Sequence, residues 1–192
     1  MLLAAPYSGA TLFSVILDRH SRIACGGEIF PFSRNSPAEC SCGKRHIDCE
    51  YYREVAAHML NDDKLSFNRD LFVHAPRYSR NPILQRILSA GWSYRKWHAF
   101  RRVALRAMPS IRRTEEEFVA AHASFVANCL QWKNAAMYVD GTKVFPRAEL
   151  FARSDKFQMK TIHVIRDGRA FCNSYIKNQR LGPQGVAKAA RV

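Results

Sequence analysis

The sequence predicts an α/β fold in three layers, a central and mostly parallel sheet flanked by helices, with a helical segment inserted over residues 51–134. Three observations lead there. Short apolar runs near both ends of the chain stop at polar or Gly-bearing turns that open helical patterns. Those runs are dense in apolar and β-branched residues, as strands buried on both faces require. The middle of the chain instead repeats apolar residues at three- and four-residue steps, the period of a helix.

The first element is Leu2-Leu3-Ala4, fit for a buried strand, followed by Pro6-Tyr7-Ser8-Gly9 and the apolar helical stretch Leu12-Phe13-Ser14-Val15-Ile16-Leu17. A strand, a Gly-containing turn and a helix start make a common anion cradle. Unpaired N–H groups at the helix start face the turn, and the helix dipole favours negative charge there. Ser8 and Thr11 add hydroxyls. The full Walker pattern is absent, because the loop holds one Gly and no Lys, so a plain structural turn competes with a phosphate site.

The 192 residues are 47% hydrophobic, enough for one domain with a sizeable core. Thirty Lys plus Arg against sixteen Asp plus Glu give a net charge of +14. Such an excess points to an anionic partner (nucleotide, nucleic acid, sulfated or phosphorylated polymer, or membrane surface), with a generally basic protein as the bland reading. No run of 18 apolar residues exists, so no membrane span is expected. Residues 1–17 lack a basic leader and read as fold, not signal peptide. The six Cys do not form a secreted disulfide pattern, and a cytoplasmic location is expected.

A second strand, Arg22-Ile23-Ala24-Cys25, ends at Gly26-Gly27, and Glu28 follows. A carboxylate just after a strand end is placed to face a cleft; an ordinary surface Glu is the alternative. Residues 33–50 read as a loop in which Cys40, Cys42, His46 and Cys49 suit a tetrahedral zinc, although Cys-x-Cys is tighter than the usual ligand gap. A reducible disulfide or buried thiols fit the same residues. The helical middle is punctuated by Pro76, Pro82, Gly91 and Pro109, and its Arg and Lys residues over 95–113 are interleaved with Trp92, Tyr94, Trp97 and Phe100, a solvated face or a grip on an acidic or sugar-like ligand or on stacked bases. Thr114 to Glu117 reads as a capping box opening a helix, whose apolar face is Phe118, Ala121, Phe125, Cys129 and Trp132, with His122 packed beside it. Strand-like Ala136-Met137-Tyr138-Val139 ends in Asp140-Gly141-Thr142-Lys143, and Met159 to Ile165 ends in Arg166-Asp167-Gly168-Arg169 before a helix over 170–179. Three strands thus end in polar groups, where open parallel sheets place their ligands.

Two of these stretches together resemble the sulfotransferases that use 3′-phosphoadenosine 5′-phosphosulfate (PAPS), whose fold is P-loop NTPase-like. Pro6-Tyr7-Ser8-Gly9-Ala10-Thr11-Leu12 looks like the family's 5′-phosphosulfate loop. Ile165-Arg166-Asp167-Gly168-Arg169 through Ser174 looks like its 3′-phosphate motif, an Arg at the strand end and a Ser eight residues on. Cys25-Gly26-Gly27-Glu28 is similar to a stretch of Golgi-type members in which the Glu is the base, and the Tyr-Ser-Gly and Cys-x-Cys-Gly pieces resemble a bacterial-type branch.

The resemblance implies sulfonyl transfer from PAPS to a hydroxyl or amine, leaving 3′,5′-adenosine bisphosphate (PAP), with no metal required. Tyr7, Ser8, Gly9, Ala10, Thr11, Leu12, Arg166 and Ser174 would hold the nucleotide, and Glu28 would take the acceptor proton. The Trp- and Arg-rich helical middle is compatible with a carbohydrate, a protein tyrosine or a small phenol as acceptor; nucleic acid is not expected. Tyr7 replaces the family's Lys or Arg at the bridging oxygen, and Lys143 is expected to supply that charge. The chain stops before the family's Gly- and Lys-bearing closing loop, which implies an incomplete domain with weakened PAPS affinity. A P-loop kinase-like enzyme, or a non-catalytic basic module for nucleic acid or sulfated glycan, are the competing classes.

Overall fold

A computed structural model describes residues 1–5, 7–27, 40, 42–62, 75–89, 103, 107–143 and 145–178. The chain is mixed α/β, with short parallel strands and helices. Strand β1 (Leu2–Ala4) leads into α1 (Ala10–Asp18) and β2 (Ile23–Cys25). Helices α2 (Glu50–Asp62), α3 (Pro82–Ser89) and α4 (Pro109–Lys133) follow, then β3 (Met137–Val139), α5 (Phe145–Arg153), β4 (Ile162–Val164) and α6 (Gly168–Asn178).

The strands pair in parallel, β1 with β4 in the register Leu2 to Ile162, and β2 with β3 in the register Ile23 to Met137. One backbone bond joins the two pairs: Leu2 N–H donates to Asp140 C=O at 2.8 Å, while Met1 C=O accepts from Ile162 N–H at 3.0 Å. The two pairs are separate two-stranded sheets, and because successive backbone groups point to opposite edges this bond sets the end of β3 beside the start of β1, on the side away from β4. From β1 the chain crosses past β3 to reach β2, and from β3 it crosses past β1 to reach β4. The connections therefore diverge around β1, and the crevice of such a sheet opens at the carboxyl end of the strand where they diverge.

Helix α1 is an amphipathic element with its bulk outside. Ala10 and Ser14 are buried, whereas Leu12, Val15 and Ile16 are 66%, 46% and 57% exposed. The packed apolar helix expected from the sequence is met only by its small residues, and the cause is close approach. A Cβ added to Gly141 would stand 2.8 Å from Gly27 C=O and 3.1 Å from Ser14 Oγ, so helix and strand end meet without room for larger groups. Asp18 closes the helix by accepting from Cys25 N–H (2.9 Å) and from Lys133 Nζ (2.6 Å), tying α1, β2 and α4 together.

Two of the helices in the middle of the chain start at prolines. Pro82 opens α3 behind Asn81, whose Oδ1 accepts from Ile83 and Leu84 N–H, and Pro109 opens α4. Proline suits the first helical turn because its missing N–H would be unpaired there. The expected helix start at Thr114 is thereby corrected: Thr114 lies in the second turn, and its hydroxyl donates to Ser110 C=O at 2.9 Å. Phe118, Ala121, Phe125 and Cys129 are buried as the spacing predicts, while Trp132 is half exposed and donates its indole N–H to Glu54. Phe125 and Cys129 pack with Tyr52, Val55 and Met59 of α2, the larger of the apolar clusters among the described residues.

His122 is 1% exposed between Phe118 and Phe151, with Nδ1 2.7 Å from Phe118 C=O. Burial, and secondarily the Arg147 charge, push its pKa well below the ordinary value. The folded chain therefore refuses a proton that the unfolded chain accepts below pH of about 6.5. Stability from this group is complete above that pH and is lost as pH falls beneath it. Urea unfolding at pH 5.5 should show about 1 kcal/mol less stability than at pH 7.5 from His122 alone, measured as the difference between wild type and His122→Gln.

Candidate functional site

The carboxyl ends of β1, β3 and β4 bring three connecting segments to one edge. After β1 the chain turns tightly: Ser8 donates both its N–H (3.3 Å) and its hydroxyl (2.6 Å) to Ala5 C=O. Gly9 follows at φ 87°, the left-handed region, and serves as N-cap of α1 without any side-chain cap. The first N–H groups of α1, from Ala10 to Leu12, thus lack an intrahelical acceptor and face the turn. Among the described residues, a Cβ added at Gly9 would meet nothing within 4 Å. This is the arrangement that receives anions.

Arg166, at the end of β4, reaches back over this turn and donates from Nη1 to Tyr7 C=O at 2.7 Å. The Tyr7 ring stands edge-on to Tyr175 of α6, centroids 5.6 Å apart, and Tyr175 stacks on Phe171. The first loop and the last described strand–helix turn, distant in sequence, are therefore joined by a hydrogen bond and an aromatic contact. Ser174 lies half-buried, one residue before Tyr175 on α6. Asp167 is consumed locally as the cap of α6, accepting from the N–H groups of Arg169 (3.0 Å) and Ala170 (3.3 Å). Those bonds, with the Arg169 guanidinium first among them, hold its carboxyl below the usual range.

Three non-glycine residues have positive φ among the described residues: Tyr7 (62°), Lys143 (60°) and Asn134 (50°). Asn134 is the left-handed C-cap of α4. Tyr7 and Lys143 have no such role. Both lie in segments leaving the carboxyl ends of neighbouring strands, and side chains held in this sparsely populated region concentrate at functional sites.

Asp140 begins the segment that carries Lys143, but it does not face the crevice. It is buried, with Oδ1 accepting from Thr142 N–H at 2.9 Å and Oδ2 standing 2.8 Å from Arg147 Nε of α5. The angles of the Arg147 contact miss hydrogen-bond alignment, so it is an ion pair in a nearly dry setting. Arg147, 1% exposed, also lies over the Phe151 ring at 5.1 Å. This pair fixes the start of the segment that carries Lys143. The sequence reading missed it, although Asp and Arg seven residues apart across a strand–helix turn were its signal. It also missed buried Glu115, which accepts from the Tyr78 hydroxyl at 2.7 Å and pairs with Arg153.

Glu28 lies outside the described residues, as does most of the basic stretch over 95–113. The strand end that leads to Glu28 is described: Gly26 C=O accepts from the Tyr52 hydroxyl (3.2 Å) and Gly27 C=O from Gly141 N–H (3.0 Å). Of the four sequence candidates for a metal site, Cys40, Cys42 and Cys49 converge, their sulfurs all within 4.8 Å of one another. His46 is not in that group; its buried ring packs against Tyr52, centroids 4.6 Å apart. No described helix is long and apolar enough to cross a membrane. No protein-family model, no curated protein and no solved structure matches the chain.

Proposed function

We propose that the chain is a PAPS-dependent sulfotransferase of P-loop-like, three-layer fold, with the helical middle on the acceptor side. The observation that carries this reading is the Arg166–Tyr7 bond. It sets a guanidinium from the β4 end beside an uncapped helix start at the β1 end, on the two strands next to the fold's divergence point. Two anion-receiving groups on adjacent strands suit a ligand with phosphate at both ends, which PAPS is.

In the proposed reaction the acceptor oxygen attacks sulfur as the bond from sulfur to the phosphate oxygen breaks. The sulfonyl group moves to the acceptor, PAP departs, and the acceptor proton passes to the Glu28 carboxylate. Charge builds on the departing oxygen, where a cation and the α1 N–H groups stabilise it best. Loop residues 7–12 would hold the 5′ end, Arg166 and Ser174 the 3′-phosphate, and Lys143 the departing oxygen.

Isothermal titration of the chain with PAP tests the reading. Saturable 1:1 binding is expected, with ATP·Mg²⁺ bound much more weakly, and Arg166→Ala should lower PAP affinity about 10- to 100-fold, the range for losing a charge-assisted contact. Preference for ATP·Mg²⁺ would favour a kinase-like enzyme. Indifference to both nucleotides, with steeply salt-dependent binding to polyanions, would favour a basic binding module.

A further inference from the structure

Away from the sheet edge, the chain between β2 and α2 returns to the fold through a small knot of sulfurs. Cys49 Sγ lies 3.5 Å from Cys40 Sγ and 3.7 Å from Cys42 Sγ. A tetrahedral zinc bonded to thiolates at about 2.3 Å places its sulfurs about 3.8 Å apart. A disulfide needs about 2.05 Å and uses sulfurs in pairs, so three converging sulfurs always leave one over.

The backbone around them is already fixed. Cys40 N–H donates to Lys44 C=O (2.8 Å) and Gly43 N–H to Cys40 C=O (2.9 Å), with Gly43 at φ 79° closing the turn. A short 3-10 turn, His46–Asp48, then delivers Cys49 to the start of α2, where Arg53 N–H bonds its carbonyl at 3.0 Å. Cys49 immediately precedes α2, so the positive end of the helix dipole offsets part of the charge that metal-bound thiolates bring.

We propose that Cys40, Cys42 and Cys49 hold a zinc ion through their three sulfurs. Cys42 is exposed, and His46, whose ring packs against Tyr52, is not among the converging groups. The site is separate from the nucleotide edge and structural in role. It pins the return of the long connection that leaves β2 at Gly27 to the same helix, α2, whose Tyr52 hydroxyl grips Gly26. Both ends of that connection are thus anchored on one turn of helix. The three thiol protons leave as the zinc–sulfur bonds form, with no oxidant involved.

The test is zinc titration into the full-length, reduced, metal-stripped chain against a chromogenic chelator. The expected result is one zinc per chain, with affinity lowered more than about 100-fold in Cys42→Ser and in Cys49→Ser, beyond what losing an outer partner costs. Cys172→Ser, on α6, should be unchanged. Because Cys42 is exposed, its variant keeps the fold, and cobalt(II) in the wild type should give the strong visible absorption of a tetrahedral thiolate site. No zinc uptake by the reduced chain, undiminished uptake in Cys42→Ser, or a weak octahedral cobalt spectrum would each overturn the proposal.

Discussion

On the sulfotransferase reading proposed above, Lys143→Met should lower sulfonyl-transfer turnover about 100- to 1000-fold while leaving PAP affinity within about threefold. The magnitude is that of removing one preorganised charge from a developing anion. Three features put it on Lys143. Tyr7 stands where a cation is expected, and a phenol carries no charge at neutral pH. Lys143 leaves β3 at the edge where the Tyr7 loop leaves β1. Its φ of 60° is costly for a side chain of this kind, so the surrounding structure holds it there. Turnover of labelled PAPS, measured beside PAP titration, separates the possibilities. Undiminished turnover in the variant removes Lys143 from the chemistry, and loss of PAP binding in parallel makes it a binding residue. Lys143→Arg, which keeps the charge with a different shape, should recover part of the rate.

The largest expected effect on stability is at Arg147. Replacing Arg147 with Met removes the guanidinium beside the buried Asp140 carboxylate, which keeps the Thr142 N–H. Breaking one side of a buried pair costs about 3–5 kcal/mol. For a chain of this length that lowers Tm by roughly 6–20 °C. Asp140→Asn combined with Arg147→Met removes the charge as well as the partner, and should lose distinctly less than the two single changes summed. Urea and thermal unfolding of the three variants measure this. Additive losses would mean that the two side chains stabilise the fold independently, and a loss under 1 kcal/mol in Arg147→Met would mean that the pair contributes little.

The alternation of strand, turn and helix was legible because it depends on local pattern: β1, β3 and β4 are apolar runs ended by polar or glycine turns, and α4 shows its inward face at helical spacing. What the pattern could not carry was pairing. Nothing near Leu2 announces that Asp140 and Ile162 will flank it, or that Arg166 will donate to the carbonyl of Tyr7 rather than offer its whole fork to solvent. The α4 start was misplaced because Thr-x-x-Glu is equally a second-turn pattern once Pro109 supplies the first. Asp140 stands at a strand end, where a carboxylate can face a cleft; its partner instead lies in the next helix, and only tertiary packing brings the two together. At the sulfur cluster composition was enough to nominate four ligands, but sulfur convergence is a matter of the turn at Gly43, and the same turn sends His46 to Tyr52.

The position of β1 has a consequence for how the chain assembles. Leu2 is fully buried between strands that are formed from residues at the far side of the sequence, and the bond from Met1 to Lys160 spans 159 positions. The central strand cannot be completed until β3 and β4 have arrived, because either neighbour alone leaves one edge open. Until then an apolar segment with unpaired N–H and C=O groups waits in water, a template for any other strand it meets. Helices α2 and α4, held by contacts nearer in sequence, can consolidate earlier. Refolding should therefore be slow at the sheet and prone to aggregation at high concentration, with the rate set by long-range closure rather than by helix formation.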